Sequence, residues 1–157
     1  MQTVESSGWT TVARAIQKSE ALLPATWNQE EDKVAAGIDE VHEANTFIFA
    51  YNDENTFSCV ITLAYYHVVN EYTLFREMPT GKEYADIVFL PRKYSDKPAI
   101  IVELKYNQSA EGAIRQIKEK KYGDVFHGYE GKVLLAGINY DKETKKHSCV
   151  IEEWGKE

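Results

Sequence analysis

Glu103 and Lys105 stand two residues apart at the end of the apolar run Ile100-Ile101-Val102. In an extended strand that spacing puts both side chains on one face, with Leu104 on the other. An acid and an amine at the end of a buried strand are costly unless paired or hydrated. An ordinary strand end would carry them as a same-face ion pair. Asp86 brings a second acid, at the head of Ile87-Val88-Phe89-Leu90, and aspartate is disfavoured in strands. If the two strands are neighbours, the carboxylates lie side by side with Lys105 next to them. Two hard oxygen ligands with room for water and phosphate form an arrangement that Mg²⁺ favours. Without a cation the carboxylates repel and tend to hold a proton. Lys105 partly relieves that repulsion and can orient or polarise an attacking water. Glu54, at the start of a helix, can supply a third carboxylate.

The elements that must position these groups follow from periodicity. Trp9, Val12, Ala13, Ile16 and Leu22/Leu23 mark a short amphipathic helix, which Pro24 is predicted to end. A second helix is predicted over Asn28–Glu43, with acidic residues in its first turn. Its many carboxylates read as a solvated face. Phe47–Tyr51 is a short extended segment. A third helix, capped by Asn52 or Asp53, buries a stripe through Phe57, Val60, Ile61, Ala64, Tyr65 and Val68.

Strands follow at Tyr72–Met78 and Glu83–Leu90, joined by the turn-like Pro79-Thr80-Gly81-Lys82. The third strand, Ala99–Lys105, starts with the continuous apolar run of a central strand. Ser109 caps a helix to about Tyr122, and strands at Lys132–Ile138 and His147–Trp154 complete the set. A strand joined through a helix to the next implies a right-handed crossover and a parallel pair. The fold class is therefore α/β, a mixed central sheet flanked by helices, with extra N-terminal helices.

Composition sets bounds. The 157 residues are 43% hydrophobic and 12% aromatic, enough for one domain with its own core and too apolar for a disordered chain. No run is long enough for a membrane helix, and no signal peptide opens the chain. Cys59 and Cys149 are too few for a disulfide scaffold, which points to a cytoplasmic setting. The net charge of −7 argues at first against a nucleic-acid binder. Yet Asn28–Glu54 holds eight acids against Lys33 alone, so this one stretch accounts for the whole excess.

Ala85-Asp86 followed by Glu103-Leu104-Lys105 resembles the motif of the PD-(D/E)xK nuclease superfamily. The element order is similar to that superfamily's restriction-endonuclease-like core. More narrowly, Tyr51–Asn55, Arg76–Lys82, Ala85–Pro91, Ile101–Lys105 and Ala113–Tyr122 resemble a domain at the C-terminus of bacterial AAA-ATPase-like proteins. The resemblance spans about residues 24 to 154. It implies that residues 28–157 form the nuclease-like domain and 1–27 a helix or linker from a longer protein. An ATPase-like domain would then lie on the N-terminal side.

The resemblance also assigns roles. Asp86 and Glu103 would hold Mg²⁺ or Mn²⁺, joined by the Leu104 carbonyl and Glu54, and Lys105 would be the catalytic lysine. Gln116 resembles the glutamine that several nuclease families place on the helix after the catalytic strand. Tyr122 stands further from Gln116 than the related tyrosine usually does, so Lys120 is the residue one turn on. Arg115, Lys118, Lys120 and Lys121, with Tyr122, form a basic cluster open to two readings, a solvated face or phosphate contact. The substrate implied is DNA, with RNA as the alternative, and assembly into an oligomer is compatible with the sequence. The rival expectation is a nuclease fold that does no chemistry and binds nucleic acid or its ATPase-like neighbour. His42, His67, His127 and His147 lack metal-ligand spacing and read as surface or packing residues, as do Trp9, Trp27 and Trp154.

Overall fold

A computed structural model of the chain describes residues 20–44, 60–76, 86–93, 95–119 and 131–154, with Ala13 and Gln17 as isolated helical positions. Helix α1 covers residues 20–27, α2 covers Glu31–Ala44, and a helical turn at 60–64, α3, runs into a 3₁₀ helix at Tyr66–Asn70. Strands β1 (Tyr72–Arg76), β2 (Asp86–Pro91) and β3 (Ala99–Tyr106) precede α4 (Ala110–Glu119). Strands β4 (Val133–Asp141) and β5 (Lys146–Glu153) close the order. They form one five-stranded sheet in sequence order. Among the described strands only β3 and β4 pair in parallel, across α4; the other neighbours are antiparallel. This is the mixed α/β architecture of a restriction-endonuclease-like core.

Strand alternation divides the core in two. Ile87, Phe89, Ile100, Val102 and Leu104 face the side of α1, α2 and α3. Val88, Ile101, Val133 and Leu135 face α4, where they meet Ile114 and Ile117. Val60, Ile61, Ala64, Tyr65 and Val68 are all buried, as their spacing requires. Buried hydroxyls on this side are satisfied: Tyr65 and Thr26 share a 2.8 Å bond, and Tyr72 donates to the Pro98 carbonyl at 2.6 Å. Trp27 is a packing residue whose indole N–H donates to the Tyr72 hydroxyl.

Three details differ from the sequence expectations. Helix α1 continues through Pro24 to residue 27 instead of ending there. Proline removes only one amide from the ladder; the turn beyond it is held by Asn28 N–H donating to the Pro24 carbonyl. The Thr26 hydroxyl also donates to the Leu22 carbonyl. Helix α2 begins at Glu31 rather than Asn28, because Gln29 takes a left-handed conformation (φ 56°) that reverses the chain. The third difference concerns the acids of α2, which do not form a purely solvated face. Glu31 Oε2 accepts the Ile151 amide at 2.7 Å, and Asp39 Oδ1 accepts the His147 amide at 2.7 Å. Eight residues of helix advance about 12 Å, and four of strand about 13 Å, so the two acids match alternate amides on the outer edge of β5. An edge strand's unused donors are thereby covered. The extended segment 47–51, the cap at Asn52 or Asp53 and the turn at 79–82 lie outside the described residues.

Burial beneath α2 also sets an alkaline limit. Desolvation, then the nearby Glu31 carboxylate, pushes the Cys149 thiol from 9.0 up to about 12. Burial raises Tyr65 as well, with Cys149 adding to the shift and the Thr26 hydrogen bond opposing it. An acid whose pKa is raised on folding holds its proton more tightly in the native state. Its contribution is therefore complete below the unfolded pKa and declines as pH rises beyond it. Stability is expected to fall from about pH 9 upward, and Cys149→Val should flatten that decline between pH 9 and 12 in denaturant titrations.

Candidate active site

Strand β3 is the middle of the sheet and carries Glu103 and Lys105 in its C-terminal half. Antiparallel pairing sets Asp86 directly opposite Glu103. The described β2 pairing ends at that pair, whereas β3 continues beside β4 through Leu104, Lys105 and Tyr106. Glu103 has no exposed surface and Lys105 keeps only 7%. Alternation puts both on the face that α4 covers, while Leu104 packs into the opposite core. Among the described residues Lys105 forms no ion pair, so the bland same-face salt bridge is not what explains it. A buried ammonium is otherwise expensive.

Gly137 on β4 is the in-register neighbour of Glu103. A Cβ there would stand 2.4 Å from the Ala110 carbonyl and 2.9 Å from the Ala113 side chain. Glycine thus lets the first turn of α4 rest directly on the sheet beside the buried acid. Ser109 caps that turn, its Oγ accepting the Gly112 amide at 2.9 Å, as the sequence predicted. The positive end of the helix dipole therefore lies on the Glu103 face. Gly137→Ala is expected to lift α4 and to cost about 1–3 kcal/mol, measurable as a lower unfolding midpoint with weaker activity in the folded fraction.

Farther along α4, Gln116 presents a buried Nε2 with no hydrogen-bond partner. Orphaned donors of this kind are uncommon in folded proteins and call for a partner. The residue types suit a hard divalent cation, with two acids at opposed register positions of neighbouring strands. Mg²⁺ commonly needs no more than one or two carboxylates from the protein. Among the described residues no group of three His, Cys, Asp or Glu side chains gathers. Glu54, the proposed third carboxylate, lies outside those residues.

The model of the PD-(D/E)XK nuclease superfamily matches residues 52–154. The chain belongs to this superfamily. No curated protein matches the chain significantly. The matched residues include β2 and β3, which carry Asp86, Glu103 and Lys105. The superfamily consists broadly of nucleases, so a nuclease-type function and a nucleic-acid partner are what membership supports.

The other expected contacts are distributed less tightly. Arg115 is exposed on α4. Lys118 is held 2.8 Å from Glu152 of β5, and both side chains are about half exposed. Lys120, Lys121 and Tyr122 lie outside the described residues. His42 of α2 and His147 of β5 are both buried, and His147 Nδ1 bonds Asp39 at 2.8 Å. The sequence reading missed Gly137 and Asn139. Both residue types are depleted in strands, so their presence in β4 was an available signal for a close helix approach and a polar site. No described helix is long and apolar enough to cross a membrane.

Proposed function

We propose that this PD-(D/E)XK protein is a metal-dependent phosphodiesterase that cleaves DNA. The observation that carries the reading is the opposition of Asp86 and Glu103 across β2 and β3, with buried Lys105 two residues on. Asp86, Glu103, the Leu104 carbonyl and Glu54 would hold Mg²⁺ or Mn²⁺. Such an ion polarises a scissile phosphate and lowers the pKa of a bound water. Lys105 orients the attacking water in line with the phosphorus and offsets the negative charge gathered there. Gln116 uses its orphan Nε2 to donate to a phosphate oxygen or to the water. Arg115, Lys118, Lys120, Lys121 and Tyr122 contact the backbone of the bound strand, with Lys118 leaving Glu152 to do so.

The acidity of the chain is compatible with this assignment. Glu31 and Asp39 are spent on the edge of β5, on the α2 side of the sheet, away from the face that carries Glu103. In the cell we place the protein in the cytoplasm of a bacterium, as the nuclease unit of residues 28–157 behind residues 1–27 and an ATPase-like domain. It is free to oligomerise through surfaces other than the site.

The test is a cleavage matrix: single- and double-stranded DNA and RNA, each with Mg²⁺, Mn²⁺ or EDTA. Metal-dependent loss of DNA that EDTA stops supports the proposal. Binding without cleavage in every metal would replace it with the rival role, a silent nuclease fold that serves the ATPase-like domain. Preferential RNA loss would make the protein a ribonuclease.

A further inference from the structure

A polar cleft of about 420 Å³ opens where β3 and β4 end, lined by Asn107, Gln108, Asn139, Asp141, Lys142 and Glu143. Its volume lies within the usual range for small-molecule sites. It adjoins the candidate active site directly. Asn139 is the in-register neighbour of Lys105, and alternation along β4 places it on the same α4-covered face. In open α/β sheets the crevice beyond the carboxyl ends of parallel strands is a common ligand position.

The cleft is built and stiff. Asn107 turns through a left-handed conformation (φ 55°), and its Oδ1 accepts the Lys142 amide at 2.8 Å. Asn139 Oδ1 accepts the Gln108 amide at 2.9 Å, and Asp141 Oδ1 accepts the Glu143 amide at 2.9 Å. The Asn107 amide donates to the Tyr140 carbonyl and the Lys145 amide to the Asp141 carbonyl. These bonds decide the ligand's chemistry. The loop amides that could form an anion-binding nest are already used. Two carboxylates against one lysine further disfavour a phosphate. The Asn107 and Asn139 amide oxygens and one Asp141 oxygen are already accepting. The cleft therefore offers the Asn107 and Asn139 NH2 groups as donors, the Gln108 carboxamide, and the other Asp141 oxygen and the Glu143 carboxylate as acceptors. That set suits an uncharged ligand that both donates and accepts.

We propose that this cleft is a nucleoside subsite, taking the sugar and unpaired base next to the phosphate that Lys105 addresses. It rests on the nuclease reading for the identity of its neighbour, and it makes single-stranded or frayed DNA the favoured substrate. The carboxylates of Asp141 and Glu143 accept from an exocyclic amino group, as carboxylates do from cytosine N4. Thymine offers O4 and a methyl group at the corresponding edge, so it is the disfavoured base.

The test uses the isotopically labelled full chain in EDTA, titrated with deoxycytidine and separately with thymidine while backbone amide shifts are followed. Saturable shifts at 107–108 and 139–143 are expected, with deoxycytidine bound about fivefold or more tighter than thymidine. Gln108→Ala and Glu143→Gln alter exposed side chains and should each weaken deoxycytidine binding while the rest of the spectrum stays folded. Absent shifts, equal affinities for the two nucleosides, or unaffected variants would overturn the subsite. Shifts without DNA cleavage in the metal matrix support the subsite and remove the nuclease reading. Cleavage without shifts does the reverse.

Discussion

Lys105→Ala is expected to reduce metal-dependent DNA cleavage by about a hundredfold to ten-thousandfold, the usual worth of a positioned group that aids proton movement. The same change should leave stability equal or slightly higher. Lys105 is 7% exposed and has no ion-pair partner among the described residues, so the fold gains little from holding a cation there. A residue kept at a cost to stability and needed for rate belongs to a site rather than to a core. The measurements are kcat and KM on a labelled oligonucleotide beside a denaturant melt of both proteins. Loss of activity in step with loss of folding would make Lys105 a structural residue and remove it from the mechanism.

Asp39→Ala carries the largest expected cost in stability. Its Oδ1 accepts both the His147 amide at 2.7 Å and His147 Nδ1 at 2.8 Å. The His147 side chain is fully buried and that of Asp39 is 14% exposed. His147 also lies edge-on to His42 and against the Tyr140 ring, with centroid separations of 5.5 and 4.9 Å. Removing the carboxylate leaves a buried edge amide and a buried imidazole without their acceptor. Leaving two buried donors unsatisfied costs about 1–3 kcal/mol each. For a domain of this size the sum lowers the midpoint by roughly 4–24 °C. Thermal unfolding of the full chain reads it directly. A change within about 0.5 kcal/mol would mean that the Asp39 bonds add nothing measurable to the docking of α2 on the sheet.

Asp39 also shows where sequence reading stops. The apolar positions Val34, Ile38 and Val41 announce which way α2 faces, and all three are buried. Nothing in that periodicity says that the flanking acids will meet the open edge of a strand more than a hundred residues later. That match depends on the relative placement of α2 and β5, a tertiary fact. The central strands were legible because continuous apolar runs at Ile100–Val102 and Val133–Ala136 leave few alternatives. Asp86, Glu103 and Lys105 were legible for the complementary reason, since charged residues interrupt strands that otherwise read as core.

The surroundings of Glu103 and Lys105 were not legible because their signal is weak in isolation. Gly137 and Asn139 follow an apolar run and look like its frayed end. Only the pairing of β4 with β3 reveals them as neighbours of Glu103 and Lys105. Pro24 misled for a local reason, since the ladder of α1 tolerates one missing amide when the next turn is tied by Thr26 and Asn28.

Titration with Mn²⁺, followed by its electron paramagnetic resonance signal, tests the central assignment without relying on turnover. One population of bound Mn²⁺ is expected in the wild-type chain, displaced by excess Mg²⁺. Glu103→Gln and Asp86→Asn should each weaken it by about tenfold or more, since each removes a charged ligand from a site with few. Glu143→Gln, in the neighbouring cleft, should leave it unchanged. Absence of bound Mn²⁺, or binding that survives both Glu103→Gln and Asp86→Asn, would contradict a metal site between β2 and β3.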